Sequence, residues 1–323
     1  MEQQGSAKIA ATYLRFAEEE ARGRSPLYEQ FASGVAGDRE SIDFLLTLPA
    51  AKRQPNLLFA ALRHRFGTAR DWSGLRRTLL ANRDAVREIM LGHSSQTNEP
   101  ARCATLLPVL ARLPQPLALI EVGASAGLCL LPDFYAYDYG GGQLRPALPA
   151  VEPPVFGCAA SGATPLPTAL PRIAWRAGLD LNPLDAGDPA EAAWLETLVW
   201  PEQTERLMNL RAALKIAAVA RPRVVKGSLL GDGLERLCRE APAGATLVIF
   251  HTAVLAYVAG QAERDGFGRR ARSLCRYWIS NESPRVFPGI PVRSGDAPGR
   301  FLMAVNGSAV AWTDPHGAAI EWL

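Results

Sequence analysis

The spacing of apolar residues divides the chain into two regions with different periods. Over residues 6–113 apolar positions recur at helical spacing, and Ile9, Tyr13 and Phe16 fall on one face of a first predicted helix. Helix-start residues in this region are Ser25-Pro26, Asp38 and Pro55, and helix-stop residues are Gly23 and Gly67. The pattern predicts an all-α N-terminal region.

After Pro116 the period changes to short, continuous apolar runs of strand length. These predicted strands are "LALIEV" (117–122), "RIAWRAGLD" (172–180), "RVVKG" (223–227), "ATLVIFH" (245–251) and "RYWIS" (276–280). Helical stretches separate the later strands, at 189–220 with a break near Trp200-Pro201, at 233–240 and at 254–275. Alternation of this kind predicts an α/β fold with a doubly wound, mostly parallel sheet.

The last part of the chain predicts antiparallel strands. Asn306-Gly307 separates two apolar runs, which is a strong hairpin signal, and "AIEWL" (319–323) predicts one more strand. We therefore predict a helical domain over 1–115 and an α/β domain over 116–323. Residues 135–171 are rich in Pro and Gly and predict an insertion with a hairpin; a disordered linker is the alternative, but the aromatic residues disfavour it.

Composition and charge exclude several classes of protein. The 323 residues are 48% hydrophobic, and 35 basic against 32 acidic side chains leave a net charge of +3, so no nucleic-acid surface is indicated. The basic run at 269–272 is typical of a solvated helix face. The five cysteines form no C-x-x-C pair, and no export signal or stretch of about 18 apolar residues is present. We expect a cytoplasmic protein without a membrane partner, and the sequence carries no signal for its oligomeric state.

The turn after the first predicted strand, "GASAG" at 123–127, has two interpretations. It fits the G-x-S-x-G nucleophile elbow of an α/β-hydrolase, with Ser125 as the nucleophile and Asp314 and His316 following it in the chain. That interpretation requires His316 to lie beside Ser125, and it expects strands upstream where this sequence is helical. The other interpretation is a glycine-rich turn that binds a nucleotide-like ligand.

The ligand-binding interpretation explains more residues around the turn. Gly123 permits a tight turn, the small residues 124–126 let backbone N–H groups approach a ligand, and Gly127 leads into the next helix, whose N-terminus favours an anion. Glu121 lies inside the preceding strand. Asp180 ends the next strand and offers only acceptors, which suits the hydroxyls of a ribose.

These segments resemble the motifs of class I S-adenosylmethionine-dependent methyltransferases. "IEVGASAG" (120–127) is similar to their first motif, with Ser125 where a middle glycine usually stands, and "GLDLNP" (178–183) is similar to their second. "ATLVIFHTAVLAYV" (245–258) resembles their fourth strand and the helix after it, and the terminal hairpin resembles the end of their sheet. Together with "QTNEPAR" and "LVWPEQTERL", these segments also resemble an uncharacterised bacterial family, a domain of unknown function similar to these methyltransferases.

The methyltransferase resemblance implies a Rossmann-like fold, an S-adenosylmethionine cofactor and a small-molecule acceptor. Carried over by position, Glu121, Gly123, Ala124 and Gly127, with Ser125 in the turn, would line the methionine end of the cofactor, and Asp180 would bind its ribose. No sequence feature identifies the acceptor.

The sequence departs from the methyltransferase pattern in two places. The usual Gly-Asp pair after the third strand is replaced by Gly227-Ser228, which makes Ser228 the candidate there, and Asp232 follows four residues later. Asp180 also lies much farther from Gly127 than the roughly 20 residues expected, so Asp138 is the alternative ribose ligand.

Methyl transfer needs a positioned acceptor and, where the acceptor carries a proton, a base. His251 follows "TLVIF" near a predicted strand end and is the first candidate; a helix-capping or loop-binding imidazole is the alternative. Further catalytic candidates are Glu282, Asn98 and Glu99, each with a capping or surface role as the alternative. Tyr135, Tyr137 and Tyr139 either wall the pocket or share a strand face, and the scattered histidines predict no metal site.

Other functions remain open at the level of sequence. A non-catalytic protein of this fold would bind a nucleoside ligand or a protein partner, and the missing Gly-Asp pair favours it. The hydrolase interpretation comes next, and a dinucleotide oxidoreductase ranks last because the turn has few glycines.

Overall fold

The computed structural model describes residues 2–96, 99–292 and 297–323. Its helices are α1 Glu2–Arg15, α2 Pro26–Gly37, α3 Arg39–Leu46, α4 Pro55–Phe66, α5 Trp72–Ala81, α6 Arg83–Gly92, α7 Arg102–Leu110, α8 Pro189–Thr197, α9 Thr204–Ala220, α10 Gly233–Glu240 and α11 Gln261–Leu274. Its strands are β1 Leu117–Val122, β2 Ala136–Asp138, β3 Gln143–Leu144, β4 Val155–Gly157, β5 Ala159–Ser161, β6 Ile173–Asp180, β7 Val224–Lys226, β8 Thr246–Thr252, β9 Tyr277–Glu282, β10 Phe301–Val305, β11 Ser308–Thr313 and β12 Ala319–Trp322.

The chain forms two compact units. One is helical and consists of Met1–Gln96 together with Ala193–Leu207. The other contains the strands and consists of Thr97–Ala192 together with Met208–Leu323. Among the described residues no helix is long and apolar enough to cross a membrane.

The helical unit begins its helices where the sequence predicts. The Ser25 hydroxyl accepts a hydrogen bond from the Tyr28 N–H at 3.1 Å, and Asp38 accepts one from the Ser41 N–H at 3.0 Å, as N-cap residues do. Pro55 occupies the first turn of α4. Aromatic side chains fill the core of this unit, and they include Tyr13, Phe16, Tyr28, Phe31, Phe59 and Trp200.

The second unit is built on a nine-stranded mixed sheet in the order β5-β12-β11-β10-β9-β8-β1-β6-β7. The strands from β7 through β6, β1 and β8 to β9 pair in parallel. The strands from β9 to β12 pair antiparallel, with Asn306-Gly307 in the β10–β11 hairpin. The predicted helical region, parallel core and antiparallel C-terminal strands are therefore confirmed.

The centre of the sheet is buried on both faces. All six residues of β1 are buried, as its unbroken apolar run predicts. On one face Ile120, Val122 and Ile249 pack against Leu234 of α10 and Phe267 of α11. The core therefore lies under the central strands, which hold the predicted site residues at their carboxyl ends.

Residues 135–171 are folded rather than a disordered linker. β2 and β3 form the predicted hairpin, and β4 completes a small sheet in the order β3-β2-β4. β5, the next strand along the chain, pairs in parallel with β12 at the edge of the large sheet.

Two predicted helices differ from the structure. The helix predicted over 254–275 begins only at Gln261, because Ala253 has a positive φ of 55° and a short 3-10 turn, Leu255–Tyr257, follows it. After Gly127 the chain makes only a three-residue 3-10 turn, Leu128–Leu130, and Pro132 follows. The predicted helix N-terminus for an anion at this point is therefore wrong.

Candidate functional site

The predicted ligand turn lies at the carboxyl end of β1, in the centre of the sheet. Gly123, Ser125 and Gly127 have positive φ angles of 76°, 51° and 70°, a conformation that glycine adopts easily and serine rarely. The Gly127 N–H closes the turn on the Ala124 carbonyl at 2.7 Å. The alternation of glycine and small residues thus follows from the backbone geometry.

The glycines of this turn are also required by close packing. A Cβ atom on Gly123 would lie 2.4 Å from Cγ2 of Val254, and one on Gly127 would lie 2.9 Å from Pro222. Gly178 in β6 faces Ala124, and a Cβ atom on Gly178 would lie 2.5 Å from the Cβ of Ala124. Side chains of the protein therefore cover both glycine α-carbons in this conformation.

Asp180, the predicted ribose ligand, holds the turn in place. Its Oδ2 accepts the Ser125 N–H at 2.8 Å, and its Oδ1 accepts the Asn182 N–H at 2.7 Å. The side chain is partly buried at the end of β6, next to β1 in the sheet. A carboxylate has about four lone-pair positions, so Asp180 can accept further hydrogen bonds after these two.

Glu121 is the deeply buried member of the group. Its side chain is 1% exposed, and its Oε2 has no hydrogen-bond partner among the described residues. Burial raises its pKa well above the usual value, the charges of Cys129 and Asp180 act in the same direction, and Arg102 opposes them. An unpaired buried carboxyl group is costly and is expected where a ligand, ion or water completes the site.

His251 and Glu282 form a buried pair. The Nδ1 of His251 lies 2.8 Å from Oε1 of Glu282, and the side chains are 0% and 2% exposed. The imidazole packs edge-on against Phe267 and near Trp278. His251 Nε2 and Glu282 Oε2 make no hydrogen bond to any described residue. The sequence named both residues, and the structure places them together.

The two predicted groups point to opposite faces of the sheet. Glu121 pairs with Phe250 on the neighbouring strand, and His251 is the next residue along β8. Because successive strand residues face opposite sides, His251 lies on the α11 face and Glu121 on the other. The sequence predicts His251 near a strand end, and the structure places it inside β8, one residue before the end, with a side chain that is 0% exposed.

Glu99, Arg102 and His316 form a second polar group near the strand ends. Glu99 is 4% exposed and its Oε2 lies 3.2 Å from Nδ1 of His316. The Arg102 Nε donates to the Pro315 carbonyl at 2.8 Å, and its Nη1 donates to the Thr252 carbonyl at 3.1 Å. Asn98, the remaining catalytic candidate, lies outside the described residues, as does Thr97.

The contact required by the hydrolase interpretation is missing from the described residues. The Ser125 hydroxyl is buried and has no hydrogen-bond partner there, whereas His316 pairs with Glu99. The positive φ of Ser125 does match the strained geometry of a nucleophile elbow. The turn alone therefore does not distinguish the two interpretations, and the missing histidine does.

The remaining candidates lie away from this group or have local roles. Ser228 is exposed after β7 and its hydroxyl accepts the Leu230 N–H at 3.1 Å. The Oδ1 of Asp138 accepts a hydrogen bond from the Gly140 N–H next to β2, and Asp232 forms an ion pair with Arg236 at the start of α10. Asp232 and Ser228 follow the same strand, as the sequence predicts.

The tyrosines of the insertion are mostly structural. Tyr135 and Tyr137 are fully buried, and their hydroxyls donate to the Leu128 and Pro132 carbonyls at 2.8 and 2.7 Å. Both rings pack against Phe156 of β4, so the strand-face interpretation accounts for them. Tyr139 donates to the Ala104 carbonyl. Within the described ranges no group of three His, Cys, Asp or Glu side chains could hold a metal ion.

Two residues of the site were not found by sequence reasoning. Arg102 is a buried cation at the start of an entirely buried helix, and an arginine directly before an apolar run was the available signal. Val254, which covers Gly123, is an ordinary apolar residue and gave no signal.

Residues 10–322 match a family model described as "Uncharacterized protein conserved in bacteria (DUF2332)". No curated protein and no solved structure matches the chain.

Proposed function

Because the chain belongs to the DUF2332 family of bacterial proteins, whose description names no activity, we propose a function from the α/β unit itself. This unit binds S-adenosylmethionine at the carboxyl end of β1 and transfers its methyl group to a small-molecule acceptor. The fold in this proposal is a doubly wound, Rossmann-like methyltransferase sheet.

The observation that carries the proposal is the strand order. From β1 the parallel strands continue through β6 and β7 on one side and through β8 and β9 on the other. Open α/β sheets bind ligands beyond the carboxyl ends of their strands, at the point where the strand order reverses. In this sheet the point lies between β1 and β8, and the glycine turn begins there.

The chemistry of the residues at this point fits such a cofactor. Asp180 retains acceptor positions for ribose hydroxyls, and Glu121 and Ser125 each have a buried oxygen without a partner among the described residues. S-adenosylmethionine supplies an electrophilic methyl group on a sulfonium, and a neighbouring cation favours the ionised form of Glu121. The role of this chain's residues is to bind and orient the two reactants.

A non-catalytic ligand-binding protein is the second candidate. His251 is 0% exposed, so in this conformation it reaches no acceptor, and Val254 covers the α-carbon of Gly123. A protein that only binds a nucleoside ligand needs no accessible base. The two candidates differ in whether bound cofactor loses its methyl group.

Calorimetric titration of the full chain with S-adenosylmethionine and S-adenosylhomocysteine tests the proposal. We expect a dissociation constant on the order of micromolar for the wild type and loss of binding in Asp180→Ala. Asp185→Asn is the matched control, because Asp185 lies in the same segment and accepts the Gly187 N–H much as Asp180 accepts that of Asn182.

The outcomes separate the candidates. Absence of binding by folded wild-type protein contradicts the cofactor proposal. Equal loss of binding in Asp180→Ala and Asp185→Asn contradicts the assignment of the ribose ligand. Binding without methyl transfer to any acceptor in a small-molecule screen favours the non-catalytic candidate. Glu121→Gln adds a finer test, because it should weaken binding of the cationic S-adenosylmethionine more than that of the neutral thioether S-adenosylhomocysteine.

A further inference from the structure

One oxygen of Glu282 accepts hydrogen bonds from three donors. Oε1 lies 2.8 Å from Nδ1 of His251, 2.9 Å from the Val254 N–H and 3.1 Å from the Leu255 N–H. Glu282 is the last residue of β9, and its side chain is only 2% exposed. The contacts join a histidine in β8 to the backbone turn that follows it.

The first consequence concerns the tautomer of His251. Because Oε1 already accepts from two backbone N–H groups, the ring nitrogen beside it is the donor, and Nδ1 carries the proton of the neutral imidazole. Nε2 is then left with a lone pair, and it has no partner in the described part of the chain. Glu282 thus determines which nitrogen of the ring is able to accept a proton.

The second consequence concerns the turn over residues 253–258. In this turn the amides of Val254 and Leu255 donate to Glu282. Ala253, directly before them, has a positive φ of 55°, which is unfavourable for alanine. Val254 in this turn occupies the space over Gly123. A ligand group that approaches the α-carbon of Gly123 from the side of this Cβ therefore meets Val254.

We propose that Glu282 is a positioning residue with two linked effects, holding His251 with its proton on Nδ1 and holding Val254 over the glycine turn. Access to this side of the Gly123 α-carbon is then controlled at Glu282. Both effects are properties of the chain without a ligand. Only the consequence for cofactor binding rests on the proposed function.

The test uses full-length protein with ¹⁵N-labelled histidine and compares Glu282→Ala with Glu282→Gln. Side-chain nitrogen resonances report which nitrogen of His251 carries the proton, and hydrogen exchange reports the protection of the Val254 and Leu255 amides. Thr313→Val is the matched control. It removes another buried hydrogen bond of the sheet, from Thr313 Oγ1 to Asn281 Oδ1 at 2.7 Å, without touching His251.

In the wild type we expect the proton of the neutral ring on Nδ1. Glu282→Ala should move it to Nε2 or to a mixture, and should accelerate exchange of the two amides on the order of tenfold or more, as expected when a buried hydrogen bond is lost. Glu282→Gln keeps an oxygen at Oε1 and replaces Oε2, which has no partner among the described residues, so it should keep the wild-type tautomer. Thr313→Val should change neither measurement.

Several results would overturn the proposal. A wild-type resonance that places the proton on Nε2 does so without any variant, even if Glu282→Ala fails to fold. Unchanged tautomer and exchange in folded Glu282→Ala, or equal changes in Thr313→Val, do so as well. Titration with S-adenosylhomocysteine is a separate measurement. If the wild type does not bind it, the proposed cofactor fails while the tautomer and exchange results still decide the role of Glu282.

Discussion

Glu121 and His251, near the carboxyl ends of adjacent parallel strands, project to opposite faces of the sheet. The charge of Arg102 acts on Glu121, whereas His251 pairs with Glu282 beneath α11. The sheet therefore separates the two polar groups, and the His251–Glu282 pair is closed off from solvent. Each group can be tested by its own substitutions.

Gly123→Ala should destabilise the protein by about 2–4 kcal/mol, because it adds a left-handed backbone penalty and a steric clash with Val254. Gly140→Ala is the matched control for the backbone term, since Gly140 also has a positive φ, 89°, with nothing within 4 Å of the added Cβ. It should lose only about 1 kcal/mol. Urea unfolding of both variants measures the difference.

The clash can be isolated with a double-mutant cycle. Val254→Ala in the Gly123→Ala background should recover part of the lost stability. The double variant should therefore lose less free energy of unfolding than the sum of the losses in the two single variants. Additive effects would mean that Val254 does not lie over Gly123 in solution, and the positioning role of Glu282 would lose its link to the turn.

Ser125→Gly should be neutral or stabilising by about 0.5–1 kcal/mol, since glycine relieves a positive φ of 51° and removes a buried hydroxyl without a partner among the described residues. Ser125→Ala, which keeps the backbone conformation, separates the two contributions. Thermal or urea unfolding measures them. Covalent labelling of Ser125 by a serine-directed fluorophosphonate would contradict this interpretation and revive the hydrolase.

The elements of the fold follow from the sequence because their signals are local. Mainly apolar runs of strand length predicted β1, β6 and β8, and the Asn306-Gly307 pair predicted the hairpin. The break near Trp200-Pro201 is also present, between α8 and α9. Periodicity did not reveal that Ala253, directly after β8, has a positive φ, and the predicted helix therefore began too early.

The site was harder to predict, because its geometry depends on contacts between distant segments. The sequence identified Asp180 and Ser125 but not the hydrogen bond between them, which spans an insertion of more than 30 residues. It placed His251 and Glu282 at strand ends without showing which face they occupy. Face assignment depends on strand register, and register became visible only in the pairing of β8 with β1 and β9.

Asp180→Ala should destabilise the α/β unit by about 1–3 kcal/mol, because it leaves the Ser125 and Asn182 amides without their acceptor. Asp180→Asn retains one acceptor oxygen and should cost less than half as much. The control Asp185→Asn, at an exposed carboxylate, should stay within about 0.5 kcal/mol of the wild type. Urea unfolding gives the ranking, and a wild-type stability of Asp180→Ala would show that the turn does not depend on this residue.

Glu121→Gln should remove a pH dependence of stability. Burial raises the folded-state pKa of Glu121 above its usual value of 4.5, so the folded protein binds the proton more tightly than the unfolded chain. The stability that protonation of Glu121 contributes is therefore fully present below about pH 4.5, and it is lost as the pH rises from there to the folded-state pKa, by at most about 1.4 kcal/mol per pH unit for one proton.

Gln carries no charge, so Glu121→Gln should gain stability relative to the wild type from pH 5 to pH 8 in urea unfolding, whereas the exposed control Glu18→Gln should follow the wild type. If stability depended on pH in the same way in the wild type and in Glu121→Gln, Glu121 would not be the buried proton-binding group. The proposed pairing of a cofactor cation with its carboxylate would then lose its support.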